Sequence, residues 1–168
     1  MVETERLTLT PVTRNDLDIY TQLLTCAQTT RYLPGGKPFS AEYIDNYVSA
    51  KVEHWSQGFG TFVVSLKSNP AIKIGYAGVE QIPGTDYCDI RYGLLPAYHG
   101  GGYAFEAAKA ALRYTFDTGL VSTIYGVAVA ENLPSLKLLK KLGLIECDVR
   151  LYEAEGLITF FTNSHISR

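Results

Sequence analysis

The sequence predicts a mixed α/β fold in a single domain, residues 1–168. Three observations carry the prediction. Hydrophobic periodicity switches between two and about 3.6 along the chain, in the order strand, two helices, three strands, helix, strand, helix, two strands. The three central strands are joined by tight turns, which reads as an antiparallel meander. Between the last of them and the next helix stand three consecutive glycines, Gly100, Gly101 and Gly102. That pattern does not by itself set the strand order.

Each element has a local reason. Thr4 to Thr10 alternates, with Leu7 and Leu9 on one side, and reads as a strand. Thr13 or Asn15 caps a short helix through Leu17, Tyr20, Leu23 and Leu24. Thr29 to Phe39 carries Pro34, Gly35, Gly36 and Pro38 and reads as a loop. Ser40 caps a helix marked by Ile44, Tyr47, Val48, Val52 and Trp55, which Gly58 ends. Gly60 to Leu66, Ile72 to Val79 and Cys88 to Leu95 are the meander, with turns at Lys67–Pro70 and Ile82–Tyr87. A helix with Ala107, Ala108, Ala111 and Leu112 on one face then runs to about Gly119. Ser122 to Ala130 is a strand, and Asn132 to Leu142 is a helix closed by Gly143. Leu144 to Tyr152 and Leu157 to Ser164 read as two last strands with a turn at Glu155 and Gly156.

Composition narrows the class. A chain with 46% hydrophobic and 19% charged residues is globular. A net charge of −2 gives no electrostatic footprint for nucleic acid. Cys26, Cys88 and Cys147 are odd in number and far apart, and His54, His99 and His165 are scattered. Reduced thiols and no metal site are therefore expected. The charged start MVETERL lacks a signal-peptide core, and no apolar run is long enough to span a membrane. A cytoplasmic protein is expected.

The stretch Leu94 to Leu112, LLPAYHGGGYAFEAAKAAL, is the richest in chemistry. Glycine allows backbone to turn sharply or approach a ligand. The first amides of a helix lack intrahelical partners, and the helix dipole adds about half a positive charge there. The stretch has the design of a phosphate cradle, and a ligand-free turn is the bland alternative. A P-loop is not matched, because Tyr103 and Ala104 follow the glycines where Lys-Ser or Lys-Thr is needed. A dinucleotide fingerprint fails at Phe105, where a small residue is needed.

A third pattern fits. The stretch resembles the acetyl-coenzyme A signature of the GNAT superfamily of N-acetyltransferases, Gln/Arg-x-x-Gly-x-Gly/Ala. His99 stands at the first position, Gly102 at the fourth and Ala104 at the sixth. The His departs from the pattern but leaves the backbone amides intact. The flanking LLP and YAFEA look like the subgroup that acetylates ribosomal-protein N-termini, and its relatives. A second segment, VAVAENLPSLKLLKKLGL (Val127 to Leu144), is similar to the GNAT segment in which Asn-x-x-Ser precedes Leu-Leu-x-Lys-Leu-Gly-Phe, with Leu144 in place of the Phe. A capped amphipathic helix accounts for many of the same residues.

The resemblance implies the GNAT fold: a mixed, mostly antiparallel central sheet flanked by helices on both faces. It implies acetyl-coenzyme A as donor and an amine as acceptor. Backbone around Leu94 and Leu95 would pair with the pantetheine arm and offer an amide to the thioester oxyanion. The loop His99, Gly100, Gly101, Gly102, Tyr103 and Ala104 would hold the pyrophosphate. Asn132 would bond the pantetheine, and Ser135 would lie near the sulfur. Many GNAT enzymes carry a Tyr acid seven residues after that Asn; Leu139 stands there, which leaves Ser135 to protonate the thiolate.

The acceptor amine must be neutral to attack. At pH 7 that costs an N-terminal amine about 1 kcal/mol and a lysine about 4.6 kcal/mol. Glu80 and Asp89 are the candidate bases. Glu106, in the first turn of a helix, reads as structural. Tyr32, the Pro34–Pro38 loop, Tyr43, Tyr47 and Trp55 would shape the acceptor pocket, although Tyr47 at helical spacing reads as core. Protein N-terminus and small-molecule amine both stay open, as do monomer and homodimer. A non-catalytic acyl-coenzyme A module on the same fold and a nucleotide-binding enzyme are the competing classes.

Overall fold

The structure, a computed structural model, describes residues 1–33 and 36–164. Pro34, Gly35 and His165, named above, lie outside them. The sheet has eight strands: β1 (Val2–Glu3), β2 (Leu7–Pro11), β3 (Thr61–Leu66), β4 (Asn69–Gln81), β5 (Cys88–Leu94), β6 (Thr123–Val129), β7 (Ile145–Cys147) and β8 (Leu157–Asn163). Their spatial order is β1-β2-β3-β4-β5-β6-β8-β7. Neighbours are antiparallel except β5 and β6, which run parallel. The helices are α1 (Leu17–Leu24), α2 (Ala27–Thr30), α3 (Ala41–His54), α4 (Tyr103–Asp117) and α5 (Leu133–Lys141).

Strand alternation splits the core in two. Phe62 and Val64 face one side, where α4 lays down Ala107, Ala108, Ala111, Leu112 and Phe116 and α5 adds Leu139. Val63 faces the other, where Ile19, Tyr20, Leu23, Ile44 and Val48 of α1 and α3 pack with Tyr76. Helices thus cover both faces. Among the described residues, no helix is long and apolar enough to cross a membrane.

Local signals place most boundaries. Thr13 and Asp16 form a capping box over a short 3-10 turn that leads into α1. The Ser40 hydroxyl accepts from the Tyr43 amide at the start of α3. Several boundaries differ from expectation: a short strand β1 precedes the first expected one, and β4 begins at Asn69, inside the turn expected over Lys67–Pro70. The first full strand begins at Leu7 rather than Thr4. Thr4 to Arg6 instead form the turn of the β1–β2 hairpin, closed by the Thr4 amide on Leu7 O at 2.9 Å, and the Thr4 hydroxyl and the Arg6 amide bond the Glu106 carboxylate. The strand expected over Leu144–Tyr152 shortens to Ile145–Cys147, and Tyr152 instead reaches Asp89 from a loop. The loop expected from Thr29 also contains the end of the one-turn helix α2.

One irregularity lies next to the glycine loop. Among the described residues β5 and β6 pair only at Asp89↔Tyr125. Beyond that point no strand among the described residues pairs with β5 on its β6 side, so the amides of Tyr92 and Leu94 lie on an open edge facing the gap.

Candidate active site

The gap between β5 and β6 leads to the glycine loop. A 3-10 turn, Pro96–Tyr98, carries the chain from β5 to His99, and α4 begins at Tyr103 with Gly102 as its cap. Gly100 (φ 81°) and Gly102 (φ 82°) are left-handed, a conformation that side-chain-bearing residues rarely adopt. Alternating hands turn successive amides toward one concavity. The first helical bond of this end is Glu106 N–H to Gly102 O at 3.1 Å. Among the described residues no bond takes the amides of Gly100 to Ala104. They are the orphan donors of the helix end.

His99 has a defined task. Its Nε2 donates to the Leu94 carbonyl at 2.8 Å, so the imidazole ties the loop back to the end of β5. The Leu95 amide is occupied: it donates to Ile74 O at 2.8 Å. Leu95 therefore faces β4. By strand alternation the amides of Tyr92 and Leu94 face the other way, into the gap. Of the backbone expected to offer an amide to a thioester, the Leu95 N–H is taken by Ile74, and the Leu94 and Tyr92 amides face the gap.

Across the gap stands the start of α5. Asn132 caps it, its Oδ1 accepting from the Ser135 amide at 3.3 Å. The Ser135 hydroxyl and the Tyr92 hydroxyl share a hydrogen bond of 2.6 Å. Burial pushes the Tyr92 phenol up to about 12, against the lowering effect of that bond. Sequence reading missed Tyr92, which stands 43 positions from Ser135 with no spacing signal to link them. Leu139, at the position where a Tyr acid is common, is buried in the core.

On the α3 side of β4 and β5 lies a charged network. Glu80 and Asp89 are register partners, and both are buried. Glu80 receives Lys51 Nζ at 3.0 Å, Thr61 Oγ1 at 2.7 Å and Arg91 Nη1 at 2.8 Å. Burial would raise its carboxyl, but Lys51, Arg91 and Thr61 outweigh that and hold it below the ordinary value. Asp89 receives Arg91 Nε at 3.0 Å and the Tyr152 hydroxyl. Here burial wins, and the carboxyl is raised despite Arg91 and Tyr152. Tyr152 is a second residue missed in the sequence. Lys51, also missed, sits under the Tyr47 ring at 4.5 Å and is lowered by burial against the pull of Glu80.

Above this network runs an aromatic chain. Phe39 stacks on Tyr43 (4.5 Å), Tyr43 on Tyr47 (5.9 Å), Tyr47 meets Tyr20 edge-on (5.9 Å), and Tyr20 stacks on Tyr76 (5.3 Å). Tyr76 lies over Gly93, where an added Cβ would meet the ring at 2.8 Å. Gly93 therefore lets an aromatic surface reach the middle of β5. Tyr47 is partly buried and packs against the core cluster, in line with its helical spacing. Trp55 is spent structurally, its indole N–H on Thr61 O at 2.8 Å and its ring against Phe62 and Tyr114. Tyr43 and Tyr32 are exposed.

The arrangement places a loop of unpartnered amides, an open strand edge, a hydroxyl pair and a polar wall around one gap. Residues 6–145 match the family model described as an acetyltransferase (GNAT) domain. The chain is 26% identical over 143 residues to the uncharacterised N-acetyltransferase YnaD of Bacillus subtilis (strain 168), covering 85% of this chain and 81% of that protein. Its fold is similar to the crystal structure of an acetyltransferase from Agrobacterium tumefaciens (TM-score 0.86, 21% identity, 97% and 94% of the two chains). It is similar also to RimL, a ribosomal alpha-N-protein acetyltransferase in complex with coenzyme A (TM-score 0.77, 12% identity, 95% of each chain). The chain belongs to the GNAT family and is an acetyltransferase.

Proposed function

We propose that the protein transfers the acetyl group of acetyl-coenzyme A to a primary amine by direct attack on the thioester. The observation that carries this reading is the splayed β5–β6 pair with unpartnered amides at its foot. The amides of Gly100 to Ala104 hold the pyrophosphate, and each charge-assisted bond contributes about 1.5–3 kcal/mol. The pantetheine arm lies along the open edge of β5, and Asn132 donates to it through its side-chain amide. The amide of Tyr92 or Leu94 bonds the oxyanion, a contact that strengthens as charge develops.

The acceptor enters from the α3 side, between the Tyr76 face and the charged network. Asp89 is the better base. Glu80 has all its nearby donors engaged and is held ionised, so its affinity for a proton is low. Asp89 lies three residues from Tyr92, about 10 Å along the strand, so it draws the proton through water. Nitrogen attacks the carbonyl carbon, the ammonium proton passes toward Asp89, and the C–S bond breaks. Ser135 gives its proton to the departing sulfur.

A thermal unfolding series tests the donor. Acetyl-coenzyme A at about a hundred times its dissociation constant is expected to raise the midpoint by about 5–10 °C, with ATP and NAD inert. A panel of N-terminal peptides and small amines, read by thiol release, then identifies the acceptor. A missing shift with acetyl-coenzyme A, or a shift only with a nucleotide, would overturn the reading.

A further inference from the structure

Arg6 stands behind the glycine loop, far from it in sequence. Its Nη1 donates to the Gly101 carbonyl at 2.9 Å. Its Nε donates to Glu106 Oε1 at 2.7 Å. Its guanidinium carbon lies 4.1 Å from the centre of the Tyr103 ring. Glu106 is itself fixed: its other oxygen accepts the Arg6 amide at 2.9 Å and the Thr4 hydroxyl at 2.5 Å. The guanidinium is thus held on two sides and stacked on a third, while its side chain is 40% exposed.

The contact with Gly101 has a directional consequence. A trans peptide is planar, so the carbonyl of Gly101 and the amide of Gly102 point in opposite directions. A cation fastened to the carbonyl therefore aims the Gly102 N–H at the opposite side, into the concavity. The same contact polarises the peptide and makes that N–H a stronger donor. A loop with two left-handed glycines has no side chains of its own to hold this orientation.

We propose that Arg6 is a positioning residue for the cofactor, setting the Gly101–Gly102 peptide so that the cradle is formed before the ligand arrives. The inference rests on the reading of Gly100 to Ala104 as the pyrophosphate site. A preformed cradle binds more tightly because the ordering cost is met in folding. The planar fork matters: lysine can reach one acceptor but cannot hold Glu106 and Gly101 together and stack on Tyr103.

The test compares two probes on wild type, Arg6→Ala and Arg6→Lys. Coenzyme A is titrated calorimetrically. Pantetheine, which has no pyrophosphate, is titrated at millimolar concentration by amide NMR shifts. Arg6→Ala is expected to weaken coenzyme A about tenfold and to leave the pantetheine titration unmoved, with Arg6→Lys between. Unchanged coenzyme A affinity in a folded variant overturns the proposal. Equal weakening of both probes also overturns it, since that marks a general structural staple between the N-terminal segment and α4. Arg6→Lys carries the same comparison if Arg6→Ala does not fold. If wild type binds coenzyme A no better than pantetheine, the cradle reading itself fails and takes the inference with it.

Discussion

A serine hydroxyl releases its proton reluctantly, so the neighbour of Ser135 matters. A phenol is the more acidic partner of the 2.6 Å bond, hence the better donor to Ser135 Oγ. With Tyr92 donating, the single Ser135 proton is free to face the gap, and the chain of two hydroxyls makes it a stronger donor. In the proposed mechanism Tyr92 supplies the hydroxyl that Leu139 cannot. Ser135→Ala is expected to lower kcat about a hundredfold, and Tyr92→Phe about tenfold. Because the two act as a unit, Tyr92→Phe should cost nothing further in the Ser135→Ala background. Independent, multiplicative losses in that double-mutant cycle would show that the pair is not a relay.

At the scale of elements, the α3–β4–β5 contact is organised around three buried charges, Lys51, Glu80 and Asp89, and the partly buried Arg91. Lys51, Glu80, Arg91 and Asp89 balance in sign, and removing one leaves another uncompensated, at a cost of about 3–5 kcal/mol. The two carboxylates have opposite pH signatures. Glu80 is held below its ordinary value of 4.5, so its stabilisation is complete above that value and is lost as pH falls through the folded value. Asp89 is held above its ordinary value of 3.8, so the native state loses stability as pH rises from there through the folded value. Unfolding midpoints against pH for Glu80→Gln and Asp89→Asn check this. The advantage of wild type over Glu80→Gln should shrink on acidification, and Asp89→Asn should remove a fall in stability on the alkaline side of 3.8. The same sign for both variants would refute the assignment. The Asp89→Asn variant also tests the base: its rate should drop and lose the rise with pH that deprotonation of Asp89 produces.

For the molecule as a whole, the splay of β5 from β6 leaves a sheet incomplete at its centre. A ligand with alternating donors and acceptors can fill it as an extra strand. Acetyl-coenzyme A is therefore expected to slow hydrogen exchange at the amides of Tyr92 and Leu94 and at Gly100 to Ala104. The amide of Leu95, already bonded to Ile74, should change little. Protection spread evenly over the sheet would indicate general stiffening instead of strand completion.

Apart from the two-residue β1, the order of elements, the glycine loop before a helix start and the second motif are readable in the linear chain. They rest on residues a few positions apart: a cap and its helix, an alternating strand, glycines before a helix start. Local sterics and hydrogen bonding act at that range, so periodicity and spacing report them. Tyr92 with Ser135, Asp89 with Tyr152 and Arg6 with Gly101 are 43, 63 and 95 positions apart. Which amides face the gap, which carboxylate is held ionised and which hydroxyl meets Ser135 depend on how the sheet and helices pack. Those contacts leave no mark at short range, because their energy comes from burial and from partners that only the folded chain brings within hydrogen-bond distance.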